Sequence, residues 1–254
     1  MILIADVHGA VTKLRALVGA TNEQLVVLGD LINFVDYRTM DGILAELAGR
    51  DWVRRLIQLR TEGRIDEARA LWSKVREGDA NDLQQRTADL IEAAYQEICG
   101  ALEGADAVVT FGNVDRLEVL QRYLPEGNRF IEAGLLEIEG WTVGVVGGGV
   151  PSGLRVPGEL SDDEMARRLS ALGPVEILCT HVPPAVPQLQ RDVVGGTQKG
   201  SQAVLEYLLE HRPQFHYFGD IHQPQAINWV VGDTLCKNAG YFRATGRGVH
   251  HPAA

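Results

Sequence analysis

Cysteine is scarce in this chain, with Cys99, Cys179 and Cys236 the only three in 254 residues. An odd number at wide spacing suggests neither a disulfide framework nor a Cys-only zinc site. The three thiols are expected to be buried in a reducing compartment. Long apolar runs are also missing, and a membrane-spanning helix needs roughly 20 such residues. Met1 leads directly into Ile2-Leu3-Ile4, a stretch too short for a signal peptide and without a basic residue ahead of it. The expectation is a cytoplasmic protein with no membrane partner.

Basic charge is in deficit. Lys and Arg number 24 against 34 Asp and Glu, for a formal net charge of -10. That balance argues against nucleic acid as a partner. It leaves a phosphate substrate open, because bound metal ions reverse the sign of the field inside a site. Internal repeats are absent, so a solenoid is excluded. Gly147-Gly148-Gly149 is not followed by Gly-Lys-Ser/Thr, which excludes a Walker-type phosphate loop. A tight turn near the site is its expected role.

Hydrophobic residues make up 45% of the chain, an ordinary globular composition. The length suits one α/β domain, 1–254, carrying an insertion. Short apolar runs predict strands over 1–5, 24–28, 107–111, 175–179 and 215–218. Residues 135–139 and 142–146 read as a hairpin, and 226–231 with 234–236 as an antiparallel pair. Helical spacing covers 12–18, 161–172 and 201–211. Ser161 and Glu164 form a capping-box pattern. Lys199-Gly200-Ser201 sits before the last of these helices, whose N-terminus could meet an anion, with simple N-capping by Ser201 as the alternative.

Between 38 and 104 the texture changes to Ala, Leu, Arg, Glu and Gln. Three helices are predicted there, over 40–60, 65–76 and 81–102, with breaks at Gly63 and Gly78-Asp79. Trp52, Leu56, Ile57 and Trp72 would offer apolar surface. The insertion is expected to be a cap over the site or an element for homodimerisation. Its arginines (Arg50, Arg54, Arg55, Arg60, Arg64 and Arg69) stand among Asp and Glu, as on a solvated helix surface.

A polar residue follows each predicted strand. These are Asp6 and His8, then Asp30, Asn113, His181, and lastly Asp220 with His222. Each is of metal-ligating type, and the oxygen and nitrogen mixture suits manganese, iron or zinc. Seven donors suffice for two ions if one carboxylate is shared, and such a pair can clamp a phosphate. Open α/β sheets place functional groups at these strand ends. His216, His250 and His251 are not expected to be ligands.

The blocks resemble the calcineurin-like metallophosphoesterase signature. They read Asp6-Val7-His8, Gly29-Asp30-Leu31-Ile32-Asn33, Gly112-Asn113-Val114-Asp115, Thr180-His181 and Gly219-Asp220-Ile221-His222, with Lys237-Asn238-Ala239-Gly240 as a closing segment. The resemblance implies a four-layered α/β/β/α sandwich with mixed sheets. By position it implies one ion on Asp6, His8, Asp30 and His222, and another on Asp30, Asn113, His181 and Asp220, with Asp30 as the bridge. Asn33 and Asp115 would support ligands from behind. Asp30, Asn113 and His181 would act on the substrate. The cofactors would be two divalent ions, manganese or iron, with zinc or magnesium as alternatives.

Two positions depart from the pattern. Val114 stands where the family often has a histidine that donates a proton to the leaving group. Asp220 stands where it has a histidine, adding negative charge to the second site. The implied activity is hydrolysis of a phosphodiester or an activated phosphomonoester by a metal-bridging hydroxide, on a small phosphoester substrate. The alternative is a non-catalytic protein of the same fold that acts through partner binding.

Overall fold

The computed structural model describes residues 1–75, 80–152, 156–193 and 198–252. The predicted break at Gly78-Asp79, the helix end at Arg76 and the side chain of Trp72 fall outside what is described. In chain order the elements begin with β1 (Ile2–Ile4), α1 (Val11–Ala20) and β2 (Leu25–Val27). The helices α2 (Ile43–Ala48), α3 (Arg50–Thr61), α4 (Ile65–Val75) and α5 (Ala80–Gly100) follow. Then come β3 (Ala107–Val109), α6 (Leu117–Tyr123), β4 (Arg129–Phe130), β5 (Ala133–Ile138) and β6 (Trp141–Val146). The chain continues through α7 (Asp162–Ser170), β7 (Ile177–Thr180), α8 (Pro187–Gln190), α9 (Gln202–His211) and β8 (Phe215–Phe218). It closes with β9 (Asn228–Val231), β10 (Thr234–Asn238), α10 (Phe242–Thr245) and β11 (Val249–His250).

Two sheets form. One has the order β11-β1-β2-β3-β4, the other β5-β6-β7-β8-β10-β9. Both are mixed. In the first, β1, β2, β3 and β4 run parallel while β11 is antiparallel. In the second, β6, β7, β8 and β10 run parallel, with antiparallel β5 and β9 at the edges.

Side-chain alternation along the strands creates the layers. Leu3, Val26 and Val108 of the first sheet pack against Val143, Val145, Ile177, Cys179 and Tyr217 of the second. The opposite faces of the same strands bury Ile2, Ile4, Val27 and Val109 under Leu14, Ile91, Tyr95 and Ile98 of the helices. Beyond the second sheet, Leu178, Phe218 and Cys236 meet Met165 and Leu169 of α7 and Val204 and Leu208 of α9. The result is the expected α/β/β/α sandwich. Each fully buried aliphatic side chain contributes roughly 1.5–3 kcal/mol to it.

The predicted helix over 40–60 is two helices. Gly49 takes φ 88°, a left-handed conformation that ends α2 and restarts the chain as α3. Leu44, Val53, Leu56, Leu59 and Ala68 form a small core among α2, α3 and α4. Trp52 and Ile57 pack against it, so Leu56 and its neighbours spend their apolar surface internally. Among the described arginines here, Arg54, Arg64 and Arg69 pair with Asp51, Glu67 and Asp66 on the exposed helix surface. Helix α5 differs from α3 and α4, because Tyr95, Ile98 and Cys99 belong to the layer that covers the first sheet, to which α2 adds Ile43.

Local expectations at the helix starts hold. Ser161 accepts from the Glu164 N–H and Ser201 from the Val204 N–H. All three cysteines are buried and free, and burial pushes the thiols of Cys99 and Cys236 up to about 12. His216 is buried inside the second sheet and bonds Thr180 Oγ1 at 2.8 Å; burial holds its pKa down to about 3. Among the described residues, no helix is long and apolar enough to cross a membrane.

Candidate metal centre

The centre lies where the C-terminal ends of strands from both sheets meet. Asp6 and His8 leave β1, Asp30 leaves β2 and Asn113 leaves β3; His181 leaves β7, and Asp220 and His222 leave β8. The backbone there is bent out of ordinary conformations. Asp6, His8, Asp30 and Asp220 all take positive φ, between 41° and 63°. Non-glycine residues in this region carry strain that surrounding contacts must offset, and such positions concentrate at functional sites.

Crowding sets the glycines. A Cβ on Gly112 would collide with Asp30 Oδ1 and come within 2.6 Å of His181 Cε1. A Cβ on Gly149 would collide with Asn113 Cβ, so the glycine loop after β6 lies against the centre as a tight turn.

All seven expected donors converge, Asp220 through its Oδ1 at 3.8 Å from His181 Nε2. Asp6 Oδ1 lies 3.4 Å from His222 Nε2 and 3.9 Å from His8 Nε2. The two imidazoles approach to 3.2 Å through their Nε2 atoms. Asp30 Oδ2 is 3.7 Å from both His8 Nε2 and His181 Nε2. Asn113 Oδ1 is 3.4 Å from His181 Nε2. Two groups have ligand atoms close enough to hold an ion: Asp6, His8 and His222, and Asp6, Asp30 and His181. Asp6 therefore reaches both groups.

Backbone carbonyls fix the rings. His181 Nδ1 bonds Leu28 O at 2.7 Å and His8 Nδ1 bonds Ile32 O at 3.3 Å. A proton kept on Nδ1 leaves Nε2 as the lone-pair donor, the arrangement that metal-ligating histidines adopt. Burial holds the His8 imidazole below its usual pKa, with Asp30 opposing. Burial also acts to lower His181, but the carboxylates of Asp30, Asp220 and Asp6 outweigh it and raise the ring. Burial would raise Asp6, yet His222, His181 and His8 hold it down at about 2.

Asp115 works on backbone, not on an imidazole. Its fully buried carboxylate accepts from the N–H groups of Asp30 (2.7 Å), Leu31 (3.1 Å) and Gly112 (2.9 Å), and from Tyr95 Oη at 2.9 Å. It thereby ties the β2 and β3 loops to each other and to α5. Asn33 donates to Asp41 at 2.8 Å, and its Oδ1 has no partner among the described residues. Asn238 of the closing segment donates to Ile221 O at 2.9 Å, steadying the loop between Asp220 and His222.

Asp220 has a different partner from the one expected. Its Oδ1 stays 3.8 Å from His181 Nε2 but forms a close ion pair with Lys199 Nζ. The negative charge ascribed to this position is thus matched by a cation. Sequence gives Lys199 no signal beyond its place ahead of the helix capped by Ser201.

Sequence reasoning missed a second cluster. The Tyr241 ring stacks on His222 at 4.1 Å and 4°. Tyr241 donates to Asp36, which also pairs with Arg243 Nε at 2.9 Å. Arg243 grips both oxygens of Asp41 at 2.9 Å and donates to His8 O. Its only sequence signal is nearness to the Asn238-Ala239-Gly240 segment.

The donor set fits divalent ions: buried carboxylates, one amide oxygen and oriented imidazoles, with no thiolate. One solved structure matches at TM-score 0.58 and 17% identity, covering 95% of this chain and 90% of its own. Another, TT1561 of Thermus thermophilus, matches at TM-score 0.52 and 13% identity, covering 95% and 89%. At such identities these likenesses speak for the fold. No curated protein matches the sequence. The family model for the calcineurin-like phosphoesterases matches residues 1–224, a span that takes in every donor from Asp6 to His222. With this match the motif order and the convergent strand ends have one explanation: the chain belongs to the calcineurin-like phosphoesterase family.

Proposed function

We propose that the chain hydrolyses a phosphodiester, or a phosphomonoester with a good leaving group, using two divalent ions. Asp6, His8 and His222 would hold one ion, Asn113 and His181 the other, with Asp30 shared between them. The observation that carries this reading is the convergence of three oriented Nε2 atoms on two buried carboxylates. When bound, the ions supply Lewis-acid charge and make water a nucleophile near neutral pH.

The chain's own residues orient and exclude. Asp115 and Tyr95 fix the loop that carries Asp30, and the Val114 N–H donates to Asp30 Oδ1 at 3.0 Å. The Val114 side chain packs against the core under the first sheet and carries no proton for a leaving oxygen. A missing general acid costs about 10²–10⁴-fold on poor leaving groups, which favours diesters and aryl monoesters over alkyl monoesters. Manganese or iron suits the donors best, and a cytoplasmic setting with a small substrate suits the charge and the free buried thiols.

The test is metal quantification on the purified chain followed by a phosphoester panel. Manganese-loaded protein is expected to bind two ions and to hydrolyse bis-p-nitrophenyl phosphate. Less than about one ion per chain under saturation, with no turnover on any ester, would favour the non-catalytic alternative.

A further inference from the structure

Lys199 is held in place by more than its ion pair. Its own N–H donates to Gln190 O at 2.9 Å, the Ser201 N–H donates to Pro183 O at 3.0 Å, and Ser201 O accepts from the Ala185 N–H at 3.0 Å. Gly200 between them runs so close to 185–190 that a Cβ would lie 2.8 Å from Ala185 Cα and from Gln190 Cβ. The segment is thus laced to the loop that follows His181, and the lysine is aimed back at the centre.

The two partners differ in exposure. The Asp220 side chain is 2% exposed and that of Lys199 27%. The carboxylate is sunk in the centre, and the lysine side chain that reaches it is only partly covered. An ammonium has three donors. One is committed to Asp220 Oδ1, and the others have no partner among the described residues and can serve an anion.

Charge points the same way. A histidine at position 220 would be a neutral donor. Here an aspartate is balanced by a lysine, so the net charge of the position is unchanged but a cation has been added. Asp220 belongs to neither of the two ion-holding groups. Its carboxylate is taken up by Lys199.

We propose that Lys199 is a substrate-binding residue that donates to phosphoryl oxygens. Asp220 is then a positioning residue that seats the ammonium, rather than a metal ligand. This rests on the phosphoesterase reading and adds to it a cation supplied by the protein itself.

The experiment compares wild type with Lys199→Met, Lys199→Arg and Asp220→Asn, each as the full chain. Three quantities are read: bound manganese per chain, the affinity for inorganic phosphate by calorimetry, and kcat and KM on bis-p-nitrophenyl phosphate. Lys199→Met is expected to keep the wild-type manganese count, to weaken phosphate about tenfold, the scale of one charge-assisted hydrogen bond, and to raise KM. Lys199→Arg should recover part of the phosphate affinity. Asp220→Asn should weaken phosphate without losing an ion.

Unchanged phosphate affinity in Lys199→Met would overturn the proposal, as would loss of one manganese in Asp220→Asn. If Lys199→Met fails to fold, the Lys199→Arg and Asp220→Asn measurements decide alone. If wild type binds no manganese and cleaves no ester, the hydrolase reading fails. The phosphate affinities of metal-free wild type and Lys199→Met then still decide the role of Lys199.

Discussion

His8 Nε2 and His181 Nε2 each stand 3.7 Å from one oxygen, Asp30 Oδ2. The two rings come from opposite sheets, on loops 173 residues apart in number (181 minus 8). A carboxylate oxygen shared evenly between two imidazole donors is where a bridging ligand would sit. Asp6 extends the arrangement, since it belongs to both groups of donors.

Removing that oxygen's charge should therefore disturb both ions. Asp30→Asn is expected to cut hydrolysis of bis-p-nitrophenyl phosphate at least about 10²-fold and to lower the manganese count. Steady-state kinetics and metal analysis on the same preparation check both. A mutant with the wild-type rate and count would remove the bridge assignment.

Asp115 is expected to matter for stability before it matters for activity. Asp115→Ala leaves the N–H groups of Asp30, Leu31 and Gly112 without their acceptor in a dry interior. Each unsatisfied buried donor costs about 1–3 kcal/mol, so a loss of at least about 3 kcal/mol is expected in urea unfolding. Tyr95→Phe removes one donor to the same carboxylate and the acceptor of the Arg116 N–H, and should cost about 2 kcal/mol. Equal costs for the two variants would show that the backbone contacts contribute little.

Tyr241 offers a way to separate stacking from hydrogen bonding. Tyr241→Phe keeps the ring on His222 and loses the bond to Asp36. Tyr241→Leu loses both. Groups that orient a metal-ligating histidine typically change affinity about 10–100-fold. Manganese affinity is expected to fall by about that amount in the leucine variant and by less in the phenylalanine variant. Titration calorimetry reads the difference, and an unaltered affinity in Tyr241→Leu would free His222 of this support.

Asp36 carries a pH signature. Burial would raise its carboxyl, but the Tyr241 hydroxyl, the N–H groups of Arg38 and Thr39, and Arg243 hold it down from 3.8 to about 2. A carboxyl depressed in the folded state stabilises the fold above its unfolded value, and that contribution is lost as pH falls toward the folded value. The melting-temperature gap between wild type and Asp36→Asn should be constant from about pH 7 to pH 5 and shrink between 3.8 and about 2. A gap that widens on acidification would contradict this sign.

Short-range pattern was readable for physical reasons. A three-residue strand buried on both faces, such as Ile2-Leu3-Ile4, is an apolar run whatever surrounds it. The N-cap of α7 needs only Ser161 three residues before Glu164. The division at Gly49 was harder to see, because apolar residues on both sides keep a helical spacing and only the positive φ separates α2 from α3. Strand β11 was illegible. Val249 and His250 have no strand pattern of their own and become one only by pairing with Leu3 and Ile2.

By itself the sequence determined which residue types end each strand, and in what order. It therefore determined the candidate donors, since a strand's C-terminal tip is a local property and ligand chemistry belongs to the side chain. Tertiary structure decided how those donors are held and balanced. Asp30 meets Asp115 across 85 positions, Tyr241 meets Asp36 across 205 and Lys199 meets Asp220 across 21. No periodicity or spacing encodes such partners. They form because closing two sheets face to face forces buried carboxylates together, and each must then find a donor or a cation in the space that remains.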